Sequence, residues 1–279
     1  MMKISEINIY PVKSLKGIGL PEAQVEKRGL RHDRRWMLTD RSNVFFTQRE
    51  FPRMATINVT IGDDSVKFTA KGSPQLLVPL VPGTQDRRQV TIWQNVCEGE
   101  VYQDEVNDWF SEILETDCQL VYMPEATERH VNERFDSGND IVSFADGYPL
   151  MLLGENSVAE LNSRLPERLP MNRFRPNLVV SGSDAFAEGT WNRIRIGDVT
   201  FRVVKPCVRC VMTTVDQATG EFDGKEPLKT LASYRMAKDV LPSSYESMGL
   251  SANGVLFGEN LIPDSPGRIA LGDPVEAMR

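Results

Sequence analysis

Cys207 and Cys210 stand three positions apart in KPCVRCVMTTVD, residues 205–216, and thiols at that spacing have four chemical uses. A structural zinc site needs two further ligands, and Cys97, Cys118, His32 and His130 are all isolated along the chain. A thioredoxin-like redox pair needs its thiolate at a helix N-terminus. Here the β-branched Val211, Thr213, Thr214 and Val215 that follow suit extended chain better. Two small thiols packed at a strand end need no chemistry at all. A single soft thiolate bonded to a heavier transition metal is the fourth use, because soft metals select sulfur. Spacing alone does not choose among the four.

The cations admit a similar reading. Lys13 follows Pro11 and Val12 at the end of an apolar strand, and Arg175 lies between Phe174 and Pro176, ahead of Leu178-Val179-Val180. A guanidinium in such an apolar context calls for a buried anion, either a ligand or an internal carboxylate. Lys16, Lys27 and Arg28 read as solvated surface charges. His32 titrates in the range useful for a proton donor, but its Arg-rich turn reads as surface, and His130 receives no role. Thr213, Thr214 and Asp216 are short polar side chains suited to bonding the backbone of the cysteine loop and orienting it.

The elements that must hold these residues are mostly strands. Ile7 and Ile9 alternate with Glu6 and Asn8, and Ile57, Val59 and Ile61 with Asn58 and Thr60, which predicts half-buried strands. RIRIGDVTFRVV predicts a hairpin turning at Gly197-Asp198, with the cysteine pair where its second strand ends. Val106, Trp109, Phe110, Ile113 and Leu114 share one helical face, with Asp104 and Glu105 near the start. A second helix is expected from Ser157, capped by Ser157 and Glu160 and ending before Pro166. A third is expected from about Pro227 through Leu228 and Leu231 to Met236. The polar stretch 123–140 reads as a linker or long functional loop, which places a boundary between halves 1–125 and 126–279. Dominant strands without βαβ alternation predict an α+β, mainly-β barrel architecture rather than a doubly wound sheet.

With 279 residues the chain can bury a large core as one domain or two, and its 41% hydrophobic and 25% charged residues are ordinary for a globular protein. A net charge of −7 excludes nucleic-acid binding driven by overall electrostatics, though not a local basic pocket. The opening MMKISEINIYPVKS lacks a signal-peptide core, and the longest apolar run, Tyr148–Leu153, is too short to span a bilayer. Four cysteines do not suggest a disulfide scaffold, so the cytosol, where thiols stay reduced, is the expected compartment.

Several segments, taken in order, carry a resemblance. They are IYPVKSLKGI (9–18), RHDRRWML (31–38), TQREFPRM (47–54), FADGYPLMLL (144–153), NRFRPNLVVSG (172–182), KPCVRC with TTVD, EPLKTLASYR (226–235) and FGENLI (257–262). Together they resemble MOSC-domain enzymes of the amidoxime-reducing type, including bacterial hydroxylaminopurine-detoxifying relatives. The resemblance implies a MOSC β-barrel packed with an N-terminal β-rich companion, and a molybdenum–molybdopterin cofactor in the cleft between them. It implies Cys210 as the catalytic metal ligand and no ligand role for Cys207. Family cofactor contacts fall on Lys13, Ser14, Arg34, Arg175, Asn177, and the backbone around Val208 and Arg209. Two more fall on Gly147 and Tyr148, where the mitochondrial enzymes carry small hydroxyl residues, so backbone contacts are what carries over. The implied reaction reduces N-hydroxylated compounds such as hydroxylamines, N-hydroxylated bases and amidoximes. Some relatives carry a C-terminal ferredoxin-like domain; this chain ends GDPVEAMR without a cysteine run after Cys210. The expectation is therefore no iron–sulfur cluster here and a separate donor, a ferredoxin, flavodoxin or cytochrome with its reductase. Two rival uses of the same residues are a sulfur carrier with a cysteine persulfide and a non-catalytic module binding a phosphorylated ligand.

Overall fold

A computed structural model describes residues 1–278. Its largest sheet has eight strands in the order Ile18–Leu20, Lys3–Ile9, Leu178–Ser181, Leu150–Gly154, Val255–Pro263, Val199–Arg209, Arg193–Ile196, Val275–Met278. Within it, Leu150–Gly154 and Leu178–Ser181 run parallel, as the crossover through the helix Glu155–Arg164 allows. Its buried face gathers Ile4, Ile7, Leu152, Leu178, Phe201 and Leu261. A second core lies around Trp36, Phe68, Phe110 and Leu120. There a four-stranded sheet ordered Trp36–Thr39, Gln119–Tyr122, Asn95–Val101, Arg87–Ile92 accompanies the meander Asn58–Ile61, Ser65–Thr69, Leu76–Pro79. The fold is mainly β with few helices, in line with the sequence reading.

The two halves interleave. Lys3–Ile9 from the start of the chain is hydrogen-bonded to Leu178–Ser181, and Glu22–Glu26 pairs with Gly267–Ala270. Between the halves, residues 123–149 are irregular but packed: Val131 and Val142 are buried, and Arg129 donates to the carbonyls of Ser143, Ala145 and Asp146 at 2.7, 2.6 and 2.9 Å. No helix among the described residues is long and apolar enough to cross a membrane.

The hairpin forms as expected, Ile194 opposite Phe201 and Ile196 opposite Val199, with Gly197 at φ +56°. Its second strand runs further than expected, to Arg209, so Cys207 lies inside the strand and Cys210 just after it. Pro206 has no N–H for the ladder, and the register against Val255–Pro263 shifts between Val203 and Lys205 and again between Pro206 and Val208. Such irregularities turn the strand and re-aim its side chains. The helix Asp104–Leu114 also forms, burying Val106, Phe110 and Leu114, with both acids at its positive end.

Five expectations need correction. The residues after Cys210, expected to be extended, form the short 3-10 helix Val211–Thr214, closed by the Thr213 N–H on the Cys210 carbonyl. The helix expected from Ser157 starts at Glu155 with Gly154 as its cap, because the Ser157 hydroxyl is drawn away to donate to Glu188 Oε1 at 2.7 Å. The helix expected through Met236 breaks into Leu228–Ala232 and Ala237–Val240, because Met236 bridges to Val255. Arg28 is buried rather than solvated, donating to the carbonyls of Thr127 and Glu125 at 3.2 and 2.9 Å. His32 is half-buried against Trp36, ring centroids 6.2 Å apart, and burial lowers its pKa.

Candidate functional site

A cleft of about 820 Å³, counted out to its open mouth, is lined by Lys13, Ser14, Arg34, Gly147, Tyr148, Arg175, Asn177, Val208, Arg209 and Cys210. The structure thus brings together every residue singled out for the site. Residues from both halves of the chain contribute.

Each side chain is placed by a nameable constraint. The strand Lys3–Ile9 leads into the buried segment Tyr10–Leu15, which carries Lys13 and Ser14 under the cleft. Lys13 Nζ donates to Phe144 O at 3.0 Å and pairs with Asp146. Burial pulls the Lys13 ammonium down to about 8, against the raising effect of Asp146, so it stays largely charged at neutral pH. Although burial works the other way, Lys13 and Arg49 hold the Asp146 carboxyl well below its usual range. Arg34 pairs with Asp33 and donates to Asn177 Oδ1 at 3.0 Å. Asn177 accepts the Met151 N–H on the same oxygen at 3.1 Å, and its Nδ2 donates to Asn8 O. It therefore locks three segments of the cleft together. Arg209 donates to the carbonyls of Phe257 and Phe174 at 2.7 and 2.9 Å. The Cys210 carbonyl accepts both the N–H and the hydroxyl of Thr213, at 3.1 and 3.0 Å, which is the loop-orienting bond expected of the threonines. Asp216 serves differently, accepting from Ala218 and Thr219 N–H and from Arg173.

Ser14, Arg34 and Arg175 all sit in the left-handed backbone region, at φ 68°, 51° and 53°. A non-glycine residue there costs on the order of 1–3 kcal/mol, and such strain gathers where a site needs donors aimed. The lining carries five cations, Lys13, Arg34, Arg173, Arg175 and Arg209, against the single carboxylate Asp146. Arg175 is the least compensated. Its guanidinium lies 4.1 Å from the Tyr10 ring centroid and that of Arg34 4.7 Å, and its one side-chain hydrogen bond among the described residues, to Gln217 Oε1, is 3.3 Å long. No carboxylate pairs with it among the described residues, and burial lowers its pKa to about 10. The internal carboxylate that the sequence left open as its partner is not there.

Sequence reasoning missed Arg49. Its Nη2 lies 3.0 Å from Cys210 Sγ, its guanidinium covers the Trp93 ring at 4.7 Å, and its buried Nη1 has no partner among the described residues. Arg49 falls in the TQREFPRM segment, but nothing local reveals a contact made across 161 positions. Arg173 was also missed. It is 2% exposed, it is held by Asp216 and Asp223 at 2.9 and 2.7 Å, and its Nε and Nη1 have no partner among the described residues. His130 lies outside this cleft, in a neighbouring hollow. Cys207 packs against the cluster around Phe174 and Phe257, and burial raises its thiol pKa. Among the described residues no three His, Cys, Asp or Glu side chains gather as a metal cluster, so the zinc reading lacks its other ligands.

Residues 1–117 match the MOSC N-terminal beta barrel domain, and residues 139–276 match the MOSC domain. The chain is 35% identical to mouse mitochondrial amidoxime-reducing component 1 over 98% of its own length and 81% of that protein's. It is 36% identical to bovine mitochondrial amidoxime reducing component 2, over 99% of its length and 83% of the relative's. The chain belongs to the family of MOSC-domain proteins that includes these amidoxime-reducing components. Among solved structures, the YUAD protein from Bacillus subtilis aligns over 99% of this chain and 96% of its own, with 11% identity and a TM-score of 0.39, a likeness too weak to build on.

Proposed function

We propose that this chain is a molybdenum-dependent reductase of N-hydroxylated compounds, working in the cytosol with electrons from a separate donor protein. Cys210 would be its metal ligand, and Lys13, Ser14, Arg34, Gly147, Tyr148, Arg175, Asn177, Val208 and Arg209 would hold molybdopterin. The observation that carries this reading is Arg175, a guanidinium aimed into the cleft without a counter-ion. A half-buried guanidinium left unpaired is costly, so the position makes sense if an anion is its partner. The terminal phosphate of a pterin cofactor supplies one, and the surplus of cations at one wall with a soft thiol at another fits such a ligand. The names of the relatives support the reductive reading.

When bound, the cofactor supplies two-electron chemistry that cleaves an N–O bond, so that R–NHOH with two electrons and two protons gives R–NH2 and water. The chain's own residues bind and orient. Arg34 and Arg175, both over the Tyr10 ring, offer planar donors to the anion, and Lys13 a compact charge. Thr213 fixes the backbone that presents the Cys210 sulfur. Arg49, clamped on Trp93, keeps a cationic donor beside that sulfur. Arg129 ties down the loop that carries Gly147 and Tyr148.

The test uses protein from a host that makes the cofactor. Wild type should contain molybdenum and reduce an N-hydroxylated base with a chemical reductant, and Cys210→Ser should lose turnover altogether. Full turnover in C210S refutes the assignment. Sulfane sulfur on the cysteine of a metal-free but active protein would instead establish the persulfide carrier, and anion binding indifferent to the cysteine would establish the non-catalytic module.

A further inference from the structure

The chain neighbours of Cys210 open onto a second surface. Val211, next to Cys210 in the chain, is 42% exposed and lines this second surface. From Val211 a shallow groove runs over Leu228, Ala232 and Val255, and Lys225 and Lys229 stand exposed on its rim. Among the described residues, no carboxylate lines the groove. Of the acids on the same segment, Asp223 is bound to Arg173 at 2.7 Å and Glu226 accepts the Thr230 N–H at 3.0 Å, while Glu221 is exposed outside the lining. An exposed apolar groove rimmed by polar residues marks an interaction surface, and a net charge of −7 makes a local surplus of cations a selective feature.

We infer that this groove is the docking face for a small, acidic electron-transfer protein that feeds the centre held at Cys210. The inference rests on the reductive function proposed above. Charge complementarity chooses the partner: two lysines around an apolar floor steer an acidic protein and repel a basic one. Position chooses its purpose, because the groove floor begins one peptide bond from Cys210. The hollow beside Trp93 and Asn132 shares Asp146, Gly147 and Tyr148 with the cleft and no residue with the groove. A substrate entering through that hollow would leave the groove free for the electron donor. Each N–O cleavage consumes two electrons and two protons and releases water, so a one-electron carrier must visit twice per turnover. A weak, quickly exchanging, salt-sensitive contact suits that duty.

The experiment compares the loaded wild type with the double variant Lys225→Glu/Lys229→Glu. The reductant is dithionite-reduced methyl viologen, an acidic [2Fe–2S] ferredoxin or an acidic flavodoxin, and carrier binding is also measured by interferometry at low and high salt. The expected result is that KM and Kd for the carriers rise about tenfold or more, with salt sensitivity lost, while viologen-driven turnover stays within about twofold. Unchanged carrier KM and Kd overturn the docking face. Equal losses with viologen and carrier overturn it too, since the lysines would then serve something other than docking. Failure of both acidic carriers to bind or reduce a wild type that viologen does reduce overturns the partner's chemistry. A loaded wild type that viologen cannot drive sinks the reductase reading itself, and this inference with it.

Discussion

Arg175 has opposite consequences in the empty and the loaded protein. Without an anion, its charge is desolvated beside Arg34 with a single long hydrogen bond to offset the cost. With an anion, the same geometry supplies a charge-assisted bond worth about 1.5–3 kcal/mol, on the order of ten- to a hundredfold in affinity. Arg175→Met should therefore leave the melting temperature of cofactor-free protein unchanged or raised, while the variant loses its cofactor during purification. Calorimetry of the apo form and phosphate analysis of the purified protein measure the two effects. A variant that melts lower yet keeps its cofactor would make Arg175 a structural residue. The same logic explains what the sequence could say at this position. An apolar context implied an anion for Arg175, but only the surrounding side chains decide between a ligand and an internal carboxylate. Arg28, in a polar context, gave no sign of its burial, because its partners are carbonyls about a hundred positions away.

At the scale of elements, features set by local periodicity were legible and features set by distant partners were not. The hairpin and the helix Asp104–Leu114 follow from alternation and from a single apolar stripe. The extension of the cysteine strand to Arg209 depends on Val255–Pro263, some fifty residues further on, and no local signal announces it. Gly258 is where that pairing meets the site. At φ +79° it lets the backbone approach Leu152, and an added Cβ would lie 2.8 Å from Leu152 O and 3.1 Å from Arg209 Nη2. Both the strained conformation and the collision argue that Gly258→Ala destabilises the fold by about 1–3 kcal/mol. It should also displace Arg209, which bonds Phe257 O next door. Chemical denaturation measures the first effect and cofactor retention the second. A fully stable G258A would mean that the strands can separate there without harm to the cleft.

At the scale of the molecule, two family domains occupy successive stretches of chain, yet the sheets do not respect that division. Lys3–Ile9 lies inside the eight-stranded sheet, and Ile4, Ile7 and Ile9 are buried in the core that Leu178, Phe201 and Leu261 build from the other end of the sequence. Each such side chain contributes about 1.5–3 kcal/mol, and whole domains are stable by only about 5–15 kcal/mol. Removing the strand also bares the edge of Leu178–Ser181, leaving its backbone groups open to other chains. A fragment of residues 126–279 should thus be aggregation-prone and lack a cooperative unfolding transition. Co-expression with residues 1–125 should restore both the transition and the cleft, since Lys13, Ser14 and Arg34 arrive on the missing piece. Circular dichroism melts of the fragment alone and of the recombined pair decide the matter. A sharp transition near the intact protein's temperature in the fragment alone would show that the missing strands decorate the sheet rather than complete it.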